Sequence, residues 1–144
     1  MTTIILTIIG ILLAAAAALM VIFYGGDAFN GGSIGARANT LQNAGTNVVS
    51  AVQLYKGETG ANPADLAALS PRHLKETPAV QGAVGAGSVS AYDGTAGVQQ
   101  FTVTAVPAEV CSKVNTNLGR TAEQTGKTGK MGCDFTDKVF FANV

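Results

Sequence analysis

Side-chain charge is missing from the first 24 residues, MTTIILTIIGILLAAAAALMVIFY, and the first side chain charged at neutral pH is Asp27. That absence excludes an ordinary amphipathic surface helix, which needs a polar face. Elsewhere charge is scarce and balanced, with nine basic and nine acidic residues making 12% of the chain. No strong field is therefore available to draw in nucleic acid or anionic lipid. Tryptophan is absent, and histidine occurs once, at His73. The two cysteines stand late, with no His or third Cys near enough to suggest zinc. Between Arg72 and Leu74, His73 reads as a solvated side chain in a surface turn. Gly126-Lys127-Thr128 ends like a phosphate loop, but Thr121 stands where the first glycine belongs. Gly85-Ala86-Gly87 lacks the third glycine of a dinucleotide site, and no Asn-X-Ser/Thr sequon occurs. These absences argue against an enzyme and imply no cofactor.

What is present begins with the uncharged segment itself. As a helix, 24 residues reach about 36 Å, enough to cross a bilayer core of about 30 Å. A secretory signal carries a basic n-region and a shorter apolar run. Here no Lys or Arg precedes Arg37. The expectation is a mature chain whose charged leader has been removed, with Met1 as a processed N-terminus. Gly10 and the alanines at 14–18 would let helices approach closely. Gly25, Gly26, Gly31 and Gly32 then put four glycines into eight residues. At about 1 kcal/mol per glycine relative to alanine, they predict an unwound break or hinge in an otherwise long helix.

Helical periodicity follows. Ile34, Ala38, Leu41, Gly45, Val48, Val52 and Tyr55 are spaced alternately by four and three, a single stripe on one face, with Ser33 as a plausible N-cap. Glycines between 57 and 60 stop this helix, and Asn62-Pro63 opens a short one with Leu66 and Leu69 inward. Val84, Val89 and Ala91 suggest short strands, and Asp93-Gly94 a turn. Residues 98–106 alternate as a strand, 107–118 read as a helix closed by Gly119, and 138–143 as a final strand; 120–132 read as loop. The class is α+β: a long N-terminal helix packed on an antiparallel sheet. The organisation is an apolar helix at 1–24, a glycine-rich break at 25–32 and a globular head at 33–144. Beside a membrane-directing segment, Cys111 and Cys133 read as a disulfide in an oxidising compartment. A loop of that size is stabilised by about 3 kcal/mol in the chain-entropy treatment. Lys113, Arg120, Lys127 and Lys130 face one acid, Glu123, between the cysteines. This is the one charge asymmetry, read as a solvated loop or as a contact for a neighbouring subunit, DNA or a host surface.

The apolar helix, its amphipathic continuation, the sheet and the late cysteine pair together resemble the type IV pilins, over the whole chain. Within that family the chain is most similar to the type IVb branch of toxin-coregulated, bundle-forming and thin conjugative pilins. Two features carry this: Met at position 1, and FTVTAVPAEVCSKV at 101–114, which looks like the family's strand followed by a helix bearing the first disulfide cysteine. GETGANPADLAAL resembles the loop after the family's long helix. The resemblance implies a major structural subunit of an extracellular pilus (fimbrium), held in the inner membrane before assembly. It implies identical subunits as partners, together with an assembly machinery and a prepilin peptidase. It leaves adhesion, conjugation, motility or DNA uptake, and contacts with phage or host surfaces, open. It also implies a filament core built from Met1, Ile4, Ile5, Ile8, Ile9, Leu12, Leu13, Leu19, Ile22 and Phe23. One departure stands out: the family usually carries Glu at position 5 of the mature chain, and here that position is Ile5. The alternatives are a minor pilin or pseudopilin of a secretion or DNA-uptake machine, and a membrane-anchored periplasmic module that never polymerises.

Overall fold

The computed structural model describes residues 2–76, 78, 80, 83–85, 87–94 and 99–144. The chain divides into two units, Met1–Ser33 and Ile34–Val144. Helix α1 spans Thr2–Thr59, a three-residue 3₁₀ turn covers Ala67–Leu69, and strands β1 (Val89–Asp93) and β2 (Gln100–Thr104) follow. Helix α2 (Ala108–Asn117) precedes strands β3 (Met131–Asp134) and β4 (Val139–Asn143). All strand pairs are antiparallel, in the order β1-β2-β4-β3. The α+β class is thus as expected. Element bounds shift by one or two residues: the second helix is Ala108–Asn117, the last strand starts at Val139, and the strand expected at 98–106 is Gln100–Thr104. Val98 itself lies outside the described residues.

The expected glycine break is corrected. α1 is helical through Gly25, Gly26, Gly31 and Gly32, and Ser33 is an interior residue rather than an N-cap. The energies explain how this can be. Four helical glycines cost about 4 kcal/mol. A helix that stops and restarts needs a second nucleation, also about 4 kcal/mol, and gives up the ladder bonds in between. No proline lies in the stretch to force the choice. The helix ends where expected: Gly60 takes φ +70° while its N–H still donates to the Lys56 carbonyl at 2.9 Å.

The amphipathic stripe packs as its spacing requires. Ala38, Leu41, Val48 and Val52 are fully buried, and Ala44 and Ala51 join them. Ile34 and Tyr55 pack against this core from its edge. They meet a sheet face on which the register aligns Tyr92, Phe101, Val103, Phe140, Ala142 and Cys133. Phe101 and Phe140 meet edge to face, with centroids 6.5 Å apart. Gly45 allows the close approach: a Cβ there would lie 3.0 Å from both Met131 Cε and Phe140 Cζ. Gly45→Val is expected to destabilise the head by about 2 kcal/mol through overpacking, despite valine's better helix propensity. Chemical denaturation of the full chain in detergent checks it; a gain in stability would refute the contact.

The short helix predicted from Asn62-Pro63 shrinks to the 3₁₀ turn. Its anchor is Asp65, whose Oδ1 accepts the Ala68 N–H at 2.9 Å, while Leu69 is buried as expected. Asn62 is not its cap, and among the described residues its buried Oδ1 has no hydrogen-bond partner. The Tyr92 hydroxyl is likewise buried without one. Burial, and then the neighbouring Asp93 carboxylate, raise the Tyr92 pKa above the ordinary phenol value. The folded chain therefore holds this proton to higher pH than the unfolded chain, so stability falls as pH rises past about 10. Tyr92→Phe removes both the buried unpaired group and that titration. It is expected to raise stability by about 1 kcal/mol at neutral pH and to flatten the alkaline decline. Denaturation midpoints at neutral and alkaline pH test this.

Candidate assembly surface and the disulfide-bonded head

Thr3–Phe23 is a 21-residue stretch, long and apolar enough to cross a membrane, and none of it is buried. Its large side chains all face outward, from Ile4 at 66% exposed to Phe23 at 73%. At 100° per residue, Ile4, Ile5 and Leu6 alone point in three directions, and Ile8, Ile9, Leu12, Leu13, Leu19 and Ile22 fill the circumference. A helix apolar all round is suited to lipid or to a ring of similar helices, not to one protein face. One of its polar side chains is satisfied within the helix: the Thr7 hydroxyl donates to the Thr3 carbonyl at 2.8 Å. Backbone groups in such a setting must be paired within the helix, and a continuous α1 pairs them. Nine of the ten expected core residues thus lie on one exposed apolar rod; Met1 is outside the described residues. Ile5 is 57% exposed on that rod, a neutral side chain where the resemblance implies a carboxylate.

In the head, Cys111 on α2 and Cys133 on β3 form a disulfide, joining the helix to the outer strand of the sheet. Beside it stands a polar device that the sequence reading missed. Asn115 is fully buried. Its Nδ2 donates to the Cys133 carbonyl at 2.9 Å and to the Ala122 carbonyl at 3.2 Å, and its Oδ1 accepts the Cys133 N–H at 2.9 Å. The side-chain amide thereby pairs β3 as another strand would, and closes an edge otherwise open to association. The first two residues of β3, Met131 and Gly132, fall in the stretch 120–132 expected as loop, which is thereby corrected. A four-residue strand after a Gly- and Lys-rich run has too little period of its own, and its pairing with β4 defines it.

The loop between the cysteines is organised inward. Arg120 donates to the Thr128 carbonyl at 2.7 Å, and its guanidinium carbon lies 5.9 Å from the centre of the Phe141 ring. One of the four expected surface cations is therefore engaged by the fold, while Lys113, Lys127 and Lys130 stay exposed. Asp134 is buried; its Oδ2 accepts from the Gly126 N–H, and its Oδ1 from the N–H groups of Thr136 and Asp137. The amide of the phosphate-loop-like tripeptide is thus turned onto an internal carboxylate. Lys130 also lines a cleft of about 540 Å³ with Val49, Met131 and Val144.

His73 is corrected as well. Its side chain is only 7% exposed, its ring meets Tyr55 edge-on at 5.5 Å, and Nε2 lies 3.6 Å from Glu58 Oε2. Arg72 reaches the same carboxylate oxygen at 3.5 Å. The segment after the 3₁₀ turn folds back onto the end of α1, which no local pattern in the sequence indicated.

No protein-family model, curated protein or solved structure matches this chain. What the molecule establishes by itself is an α+β, disulfide-bonded head and an N-terminal apolar helix of membrane-spanning length.

Proposed function

We propose that this chain is a structural subunit of an extracellular filament of the type IV pilus kind, polymerising through its apolar N-terminal helix. The observation that supports this most is the all-round exposure of Thr3–Phe23 on a helix that runs on into a disulfide-bonded head. The helix would occupy two surroundings in turn, the inner membrane and then a filament core of identical helices. Lipid tails and neighbouring apolar helices are similar solvents for Ile and Leu, so the transfer is not opposed by the hydrophobic effect. Close packing and repeated head contacts would drive it. Head-to-tail contacts that do not close into a ring propagate as an open helix. The disulfide and the Asn115 pairing would hold the head's C-terminal part against pulling force.

Imaging of the purified native assembly tests the reading. Filaments of uniform diameter built from this chain alone support it. A detergent-solubilised monomer that forms no filament under any condition removes it and leaves the non-polymerising anchored module. Ile5 favours that second reading, or a minor subunit, because an N-terminal amine buried in a filament core would lack a charge partner. Ile5→Glu separates them. In a polymerising subunit it supplies the missing partner and raises filament yield. In a permanent anchor it only burdens the span and lowers membrane retention.

A further inference from the structure

Asn30-Gly31 is an Asn-Gly pair on the exposed surface of a glycine-rich stretch that the structure keeps helical. Asparagine followed by glycine is the pairing most prone to spontaneous cyclisation, because no side chain on the next residue hinders attack by its backbone nitrogen. We propose that Asn30 is a modification site, a deamidation centre held in check by the continuity of α1.

The chemistry needs only water. The Gly31 backbone nitrogen gives up its proton and attacks the Asn30 side-chain carbonyl carbon. A carbon–nitrogen bond forms to close a five-membered succinimide, and the bond to the side-chain nitrogen breaks, releasing ammonia. Water then adds to either ring carbonyl, giving aspartate or isoaspartate at position 30. Helical geometry opposes the first step twice. The Gly31 N–H is directed into the i→i−4 ladder, toward the carbonyl of residue 27. The helical ψ of Asn30 also holds its side-chain carbon away from that nitrogen. Reaction therefore proceeds through local opening of the ladder, which four nearby glycines make less costly than elsewhere on α1.

The product acts on the helix that restrained it. Aspartate at 30 replaces a neutral side chain by a charged one of poor helix propensity within the glycine-rich stretch. Isoaspartate inserts an extra methylene into the backbone and interrupts the ladder outright. The change is one-way: it turns a continuous helix into one broken at the glycine stretch, just beyond the apolar rod. The inference stands apart from the filament reading and holds equally for an anchored module.

The test follows the acid and isoacid forms at each asparagine by peptide mass and an isoaspartate assay. The full chain is incubated at neutral pH, folded in detergent and unfolded in concentrated guanidinium. In the unfolded chain, Asn30 is expected to convert faster than Asn39 and Asn47. In the folded chain, its conversion is expected to slow at least about tenfold, which corresponds to an opening cost of about 1.4 kcal/mol or more. A Cβ at Gly31 would meet nothing within 4 Å, so Gly31→Ala leaves the packing intact and is expected to slow conversion in the unfolded chain to the level of Asn39 and Asn47. Conversion at Asn30 no faster than at Asn39 in the unfolded chain overturns the site. Rates closer than tenfold in the two states overturn the helical restraint.

Discussion

Asn115→Ala is expected to cost the head about 3–5 kcal/mol. The substitution deletes three hydrogen bonds made by one fully buried side chain and leaves both backbone groups of Cys133 without those partners. Each buried group left unpaired costs about 1–3 kcal/mol, well above the net worth of a bond whose two partners can return to water. Against a domain stability of about 5–15 kcal/mol, such a loss takes a large share of the folded population. The disulfide remains in this variant, so the effect is separate from the bridge. Asn115→Asp is the sharper companion. It keeps an acceptor for the Cys133 N–H but turns an oxygen toward the Cys133 and Ala122 carbonyls, so it is expected to lose at least as much. Denaturant titration of the full chain in detergent, followed by near-ultraviolet circular dichroism, measures both. A loss below about 1 kcal/mol for the alanine variant would mean that the amide does not hold the outer strand.

Leu13→Arg is expected to abolish membrane association and, with it, assembly. Leu13 lies near the middle of Thr3–Phe23, on a helix with no polar face toward which a charge could turn. An arginine at the centre of a span costs about 2.5–3.5 kcal/mol on insertion scales, and the leucine contribution is lost in addition. The position is too deep for the long side chain to reach an interface easily. In a filament core the same charge would be repeated in every subunit. Flotation with liposomes and negative-stain imaging read the two consequences, with Leu13→Ile as the conservative control. The head belongs to a separate compact unit, so disulfide formation and near-ultraviolet dichroism are expected to persist. Unchanged flotation by the arginine variant would show that this rod is not the membrane-binding element.

These two variants probe features of very different legibility. The apolar rod could be read residue by residue, because a missing charge over 24 positions is a local property that no tertiary contact can supply. The stripe from Ile34 to Tyr55 was equally plain, since helical spacing alone decides which side chains share a face. Nothing in the sequence distinguished Asn115 from the other asparagines. Its role depends on β3 lying beside α2, and that neighbourhood comes from the Cys111–Cys133 bridge and from pairing with β4. His73 is no solvated side chain for a similar reason: its burial depends on the loop folding back to Tyr55 and Glu58.

The sequence alone determined an apolar N-terminal helix, an amphipathic continuation, the α+β class and a cysteine pair suited to an oxidising compartment, because each rests on composition or on a short-range period. The tertiary structure decided the rest. Continuity of α1 through its glycines turned on the near balance between glycine propensity and a second nucleation. The strand identity of residues 131–134, the inward turn of Arg120 and the Asn115 pairing turned on partners distant in sequence, whose approach no local pattern encodes.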